Sequence, residues 1–232
     1  MRSFQKYLLA VFLVVLVLHL FAIRQGWPDI RFVTKLSLSP LLCVVLLLSK
    51  PVPVPVLNYL ALISSFLGDW LLTRTGDIYF LGGMLAFLLT HFCNIIFLIQ
   101  LQGRNFVFGK AGIRAAVLLW LFDLLIYLLL KSSLGIFEWP VILYICVISV
   151  FALLAATATQ SPDIGKAARN WLLPGAVLFV LSDTLLALNQ FGLHLLYLDM
   201  PVMALYGLAQ MCLTLGYIAV ARDRQEKITF NA

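Results

Sequence analysis

The chain has 232 residues, of which 63% are hydrophobic and only 11% are charged, and its mean hydropathy is +1.04. Soluble domains contain about 45–50% apolar and about 25% charged residues, so this composition excludes a soluble globular protein. The net charge of +6 comes mostly from Lys and Arg between apolar segments. That pattern is typical of membrane topology, and we expect no nucleic-acid partner.

Apolar segments long enough to cross a bilayer recur along the whole chain. A spanning helix needs roughly 20 residues. We place the spans at residues 5–23, 33–49, 54–73, 79–100, 111–131, 138–158, 171–190 and 198–220. Because a lipid environment requires every backbone polar group to be bonded internally, these segments predict an all-α fold. We expect a bundle of eight transmembrane helices that forms a single domain over residues 1–232.

Prolines separate the second predicted span from the third, and the first span is unusually long. Pro51, Pro53 and Pro55 in "SKPVPVP" stop a continuous helix between the second and third spans. The apolar part of the first span continues to Ile23, which is too long for a usual signal-peptide core, so we expect a retained helix.

The basic residues between the spans predict the orientation of the chain. With a cytoplasmic N-terminus, 11 Lys and Arg residues fall on the cytoplasmic side and 5 on the outer side. We therefore predict that both termini are cytoplasmic. The connections are short, which leaves no room for a soluble domain, so function must reside in the helix bundle or at its ends. Short connections suit a bacterial inner membrane, where we expect this integral membrane protein.

Familiar metal, cofactor and nucleophile motifs are absent from the sequence. It contains no His-Glu-x-x-His metalloprotease motif, P-loop, nucleophile elbow or dinucleotide fingerprint. The cysteines lie singly inside apolar segments, at positions Cys43, Cys93, Cys146 and Cys212. This spacing argues against a disulfide framework or a zinc site, and we expect neither a metal nor a cofactor.

Two apolar spans carry an acidic residue in matching surroundings. "LGDWLL" around Asp69 and "LSDTLL" around Asp183 lie in the third and seventh spans, so a duplication of 1–110 into 111–232 would be a parallel repeat. An ionisable group at the bilayer centre costs roughly 2.5–3.5 kcal/mol, and accepting that cost twice favours a function. A structural role, in which a buried Asp bonds a neighbouring helix, stays open. Asp123 has no counterpart, and its role also stays open.

Other polar residues fall on predicted helix faces inside the spans. His91 and Asn94 share one face, as do Tyr206 and Gln210, because residues three or four apart are neighbours on a helix. Polar faces in a membrane bundle turn inward rather than toward lipid. The candidate substrate-binding residues are Lys35, Ser65, His91, Asn94, Tyr144, Asn189, Tyr206 and Gln210.

A pair of buried carboxyl groups suggests acid–base chemistry. Two neighbouring acids in a low-dielectric site do not titrate alike, so one is protonated and the other ionised, as a general acid and a general base require. This hypothesis predicts that Asp69 and Asp183 face one cavity. Intramembrane Asp residues also relay protons in transporters, so a proton-coupled transporter remains an alternative, as does a non-catalytic membrane scaffold.

Four stretches, in chain order, resemble one known family of membrane proteins. "FLGDWLL", "FLLTHFCNI", "PGAVLFVLSDTLLALNQF" and "LYGLAQ" resemble the YhhN-like lysoplasmalogenase family of eight-helix proteins, from about the second span to the eighth. The resemblance implies hydrolysis of the vinyl ether bond of lysoplasmalogens. The products would be a fatty aldehyde and glycerophosphoethanolamine or glycerophosphocholine. The implied partners are the lysophospholipid substrate and the bilayer lipids.

The same resemblance assigns roles to individual residues. It implies that Asp69 and Asp183 are the catalytic pair. The positions that match the polar pocket of the family are His91, Tyr206 and Gln210. Lys35 stands in "TKLSLSP", where the family has a tighter Lys–Pro spacing, and Asn94 stands where the family often carries Tyr. Lys35 or Arg74, both predicted near the outer side, would meet the substrate phosphate.

Overall fold

The computed structural model describes residues 3–49, 54–103 and 108–230, and within these ranges the chain forms helices and turns without a β-strand. The helices are α1 Ser3–Gln25, α2 Pro28–Leu47, α3 Val56–Leu71, α4 Asp77–Gln102, α5 Lys110–Leu130, α6 Glu138–Ala158, α7 Gly165–Leu193 and α8 Asp199–Phe230. The predicted all-α membrane bundle is confirmed. The predicted break at Pro51 and Pro53 lies outside the described residues, as do the basic residues Arg2, Lys50 and Arg104 that contribute to the predicted orientation.

Two helix boundaries differ from the hydropathy pattern. In the described residues, seven helices are long and apolar enough to cross a membrane, whereas α3 has only 16 residues. It begins after Pro55, which takes the N-cap position. By contrast, α2 begins at Pro28, before the predicted start at residue 33, because Pro suits the first turn of a helix even where charged residues lower the hydropathy.

Helix α7 is irregular on both sides of its central part. The segments Ala168–Leu172 and Asn189–Leu193 form π-helical turns, and Leu173–Leu188 between them is regular α-helix. These turns extend the helix beyond the predicted span of 171–190. Single π-helical turns inside α-helices occur frequently at functional sites. Asp183 lies in the regular part, a turn and a half before the second π segment begins.

The helices divide into a buried set and a peripheral one. The main apolar core lies between α1, α2, α3, α4, α6, α7 and α8, and α8 is the most buried spanning helix. α5 is the least buried; it packs on α6 and exposes large side chains such as Leu118 and Trp120. A smaller apolar cluster forms where α5 ends and α6 begins, and it includes Ile126, Val141 and Phe191. Exposed apolar side chains suit contact with lipid.

Gly175 lets α7 and α8 approach each other closely. A Cβ atom at this position would lie 2.9 Å from Leu213 Cδ2 and 3.1 Å from the Leu213 backbone nitrogen. A backbone atom cannot move aside as a flexible side chain can, so a larger residue has to separate the helices. This contact holds in place the helix that carries Asp183.

We expect Gly175→Ala to destabilise the protein by about 1–3 kcal/mol, the usual cost of overpacking a tight interior. The measurement is the thermal unfolding midpoint of the purified protein in detergent. Gly192→Ala on the same helix is the control, because its added Cβ would meet only Leu130 Cδ2 at 3.7 Å. Equal midpoints for the two variants would contradict the close packing of α7 on α8.

Candidate active site

A polar cavity of about 380 Å³ opens at the end of the bundle where α3 meets α4 and α7 meets α8. On the predicted orientation this is the outer end. Asp69 from α3 and Asp183 from α7 both line it, as predicted. The other charged lining residues are Arg31, Lys35, Arg74, Asp77 and Asp199.

Asp69 lies between a tyrosine and a lysine. Its side chain is buried, and the Tyr206 hydroxyl donates a hydrogen bond of 2.6 Å to Oδ2. The Lys35 ammonium nitrogen lies 3.7 Å from Oδ1. A buried carboxylate is costly when it stands alone, and here a cation and a hydrogen-bond donor compensate that cost. Asp69 is thus held as one member of a buried ion pair.

A second set of polar residues holds Tyr206 from behind the cavity. The Gln210 amide donates to Ser65 Oγ at 2.7 Å and to the Tyr206 hydroxyl oxygen at 3.3 Å. Ser65 in turn contacts Thr90 Oγ1 at 3.1 Å. Ser65 and Gln210 do not line this cavity, nor do they line a smaller apolar pocket that adjoins it. The structure places both residues where they orient Tyr206 and, through it, Asp69.

Asp183 has different neighbours. The Tyr144 hydroxyl donates a hydrogen bond of 2.5 Å to Asp183 Oδ2, and His91 Nε2 lies 3.5 Å from the same oxygen. His91 also contacts the Tyr144 hydroxyl at 3.1 Å and is fully buried against the rings of Phe151 and Phe179. Within the described ranges, no Lys or Arg forms an ion pair with Asp183.

The mouth of the polar cavity is built from charged residues at helix ends. Arg31 at the start of α2 forms an ion pair of 2.7 Å with Asp199 at the start of α8. The Asn189 amide nitrogen donates to the other oxygen of Asp199 at 3.3 Å, which ties the end of α7 to the same pair. Arg74 lies over the Trp70 ring at 5.8 Å from its centroid. The cavity is therefore lined by Lys35, Asn189 and Arg74. Lys35 forms an ion pair with Asp69 and Asn189 bonds Asp199, whereas Arg74 rests on the Trp70 ring.

Two polar residues from the sequence analysis lie elsewhere. The Asn94 amide oxygen accepts a hydrogen bond of 2.5 Å from Tyr217, and Asn94 lines neither the polar cavity nor the apolar pocket. Asp123 accepts a hydrogen bond of 2.7 Å from Ser149 on α6 and also lines neither. The geometry of Asp123 is that of a polar contact joining α5 to α6.

Sequence reasoning missed several residues that line the cavity. Arg31, Asp77 and Asp199 line the cavity but are not among the candidate residues that the sequence predicts. All three lie at the beginnings of helices on the predicted outer side, and this shared position was the available signal. In the part of the chain that the structure describes, no three His, Cys, Asp or Glu side chains are grouped so as to hold a metal ion.

A smaller, apolar pocket of about 70 Å³ adjoins the polar cavity on the other side of Asp183. It lies between α4, α5, α6 and α7. The residues that line both spaces are Leu72, Phe80, Phe87, Asp183 and Leu186. The candidate site therefore combines two carboxyl groups, a basic mouth and an adjoining apolar recess.

Comparison with known proteins identifies relatives of the chain. It is 30% identical over 164 residues to the lysoplasmalogenase TMEM86A of Bos taurus, covering 69% of this chain and 64% of that protein. It is 32% identical over 166 residues to the lysoplasmalogenases of Mycobacterium bovis and Mycobacterium tuberculosis, covering 68% of this chain and 58% of each relative. The chain thus spans less than two-thirds of the length of these relatives, and no solved structure matches it.

The family assignment comes from a broader match. The sequence profile of the YhhN family matches residues 30–217, well over half of the chain. The matched region begins near the start of α2 and extends into α8, so it includes both acidic residues and the tyrosines that contact them. This chain is a member of the YhhN family.

Proposed function

We propose that the protein is a lysoplasmalogenase, an ether hydrolase that cleaves the vinyl ether bond of lysoplasmalogens with an ethanolamine or choline headgroup. The observation that carries the proposal is the polar cavity lined by both Asp69 and Asp183. The products are a fatty aldehyde and glycerophosphoethanolamine or glycerophosphocholine. The names of the bovine and mycobacterial relatives support the same activity.

Hydrolysis of a vinyl ether needs an acid first and a base afterwards. The acid transfers a proton to the β-carbon of the double bond, whose π electrons form the new C–H bond and leave an oxocarbenium ion. Water then adds to the α-carbon while the base removes its proton. The resulting hemiacetal collapses to aldehyde and alcohol, so one water is consumed and no redox step occurs. Two carboxyl groups in opposite protonation states supply this sequence.

The different neighbours of the two acids support one assignment of these roles. Asp69 forms an ion pair with Lys35, so it is the ionised member that stabilises the oxocarbenium ion and then activates water. Asp183 is paired with the Tyr144 hydroxyl and His91 rather than with an ammonium group. Both of these neighbours contact Oδ2, which leaves Oδ1 to carry the proton that goes to the β-carbon.

The mouth of the cavity suits the phosphate of the headgroup. A guanidinium group binds phosphate through two parallel hydrogen bonds. Arg31 is already paired with Asp199 and Lys35 with Asp69, whereas Arg74 rests on the Trp70 ring, so Arg74 is the preferred phosphate ligand.

We also propose that the protein works in the inner membrane of a bacterium. The short connections between the helices suit the inner membrane of a bacterium. On the predicted orientation, the substrate enters the cavity from the outer side, with bilayer lipids as the other partners of the protein.

We expect purified protein to release aldehyde from lysoplasmalogen, and Asp69→Asn and Asp183→Asn each to lower kcat by about 10²–10⁴-fold, the usual contribution of a general acid or base. Asp123→Asn is the matched control, because this acid lies in a helix but lines neither the cavity nor the pocket. The measurements are aldehyde release and the thermal unfolding midpoint of each variant. Full activity in either catalytic variant, or no aldehyde release by the unaltered protein, would overturn the proposal.

We expect Arg74→Gln to raise KM about tenfold, a loss of about 1.4 kcal/mol of binding free energy. Arg114→Gln is the control, since the Arg114 side chain bonds the Lys110 carbonyl at the start of α5, at the opposite end of the bundle. The effect should disappear with an alkenyl glycerol that lacks the phosphate. An equal rise in KM for that substrate would show that Arg74 does not bind the phosphate.

A further inference from the structure

The proposed reaction leaves the apolar pocket beside Asp183 without a role. Of the residues that line it, only Tyr144, Asp183 and Thr184 carry polar side-chain groups. The Thr184 hydroxyl donates to the Val180 carbonyl on its own helix at 2.7 Å, and the Tyr144 hydroxyl donates to Asp183. These hydroxyl protons are already used, so apart from Asp183 the pocket offers mainly hydrocarbon walls to anything that enters it.

The pocket and the polar cavity share five lining residues, and Asp183 is the acid among them. Asp183 lines both spaces, whereas Asp69 lines only the polar one. The other residues that line both spaces are apolar: Leu72, Phe80, Phe87 and Leu186. Asp183 therefore stands where a polar environment changes to an apolar one.

A lysoplasmalogen changes character at the same kind of boundary. Its phosphate and glycerol are polar, its chain is hydrocarbon, and the vinyl ether joins the two parts. Within the vinyl ether, the α-carbon is attached to the oxygen on the glycerol side, and the β-carbon is attached to the chain. The pocket is small, at about 70 Å³, which suits the few carbons next to the double bond better than a whole chain.

We propose that this pocket binds the first carbons of the alkenyl chain and so places the β-carbon beside Asp183. This inference rests on the proposed function. With the headgroup in the polar cavity and the chain entering the pocket, the β-carbon meets the proton donor. The α-carbon, which becomes the cationic centre, lies on the side of Asp69. Binding of hydrocarbon in the pocket thus orients the substrate for proton transfer.

Filling the pocket tests this assignment. Val141 is 4% exposed and Ala187 lies on α7, and both line the pocket, so Val141→Phe and Ala187→Leu each occupy its space. Leu143→Phe is the matched control, because Leu143 lies two residues along α6 from Val141 and is 51% exposed toward lipid. The substrates are a long-chain alkenyl glycerophosphoethanolamine and its propenyl analogue, which has one methyl group beyond the β-carbon.

We expect Val141→Phe and Ala187→Leu to lower kcat/KM for the long-chain substrate by about 10- to 100-fold, because misplacing a bound substrate slightly has effects of this size. For the propenyl substrate their kcat/KM should change no more than that of Leu143→Phe. Unchanged kcat/KM on the long-chain substrate in both pocket variants would overturn the inference.

Photolabelling of the unaltered protein gives a second measurement that needs neither turnover nor a substitution. The probe is a saturated alkyl-ether lysophospholipid with a diazirine on a chain carbon close to the ether. We expect adducts on Val141, Ile145 or Ala187. Adducts found only on lipid-facing residues such as Leu128 and Leu129 would overturn the inference. Labelling of the pocket without aldehyde release would overturn the proposed function but support the chain site.

Discussion

Two carboxyl groups inside an apolar bundle have to be satisfied by partners from other helices, and the rest of the site depends on this constraint. An unpaired charge or polar group at this depth costs several kcal/mol. Asp69 on α3 is satisfied by Lys35 from α2 and Tyr206 from α8, while Asp183 on α7 is satisfied by groups from α4 and α6. The two acids thereby tie six of the helices together, so the packing of the bundle and the geometry of the site depend on the same contacts.

The partners also correspond between the two halves of the chain. In a parallel repeat of 1–110 and 111–232, α2 corresponds to α6 and α4 to α8. Lys35 on α2 and Tyr144 on α6 hold the two acids from one pair of helices, and Tyr206 on α8 and His91 on α4 hold them from the other. The repeat itself stays a prediction. The neighbours of the two acids nevertheless differ, since among the described residues only Asp69 has an ammonium partner. The proposed division into a proton donor and a base rests on that difference.

Sequence reasoning succeeded where a property is local to one helix. Hydropathy located the helices, and Asp69 and Asp183 were recognisable because an acid in an apolar span is costly. What it missed depends on how helices are rotated and ordered in space. Asn94 pairs with Tyr217, far away in the chain, and Arg31 pairs with Asp199, and no linear pattern encodes either contact. The hydropathy pattern also overestimated the length of α3, because the turn that follows its last residue is itself partly apolar.

The short length of α3 places Asp69 close to the turn that lines the polar cavity. With 16 residues α3 is about 24 Å long, which is less than the roughly 30 Å of a bilayer hydrocarbon core. Non-helical backbone is tolerated near the apolar layer where it lines a cavity, and the turn after Leu71 lines the polar cavity with Leu72 and Arg74. Asp69 lies two residues before the helix ends, and it lines the same cavity as Arg74 in the turn that follows. Asp183 also lines the apolar pocket. In the proposed reaction, Asp69 thus faces the water that is consumed, and Asp183 faces the carbon that is protonated.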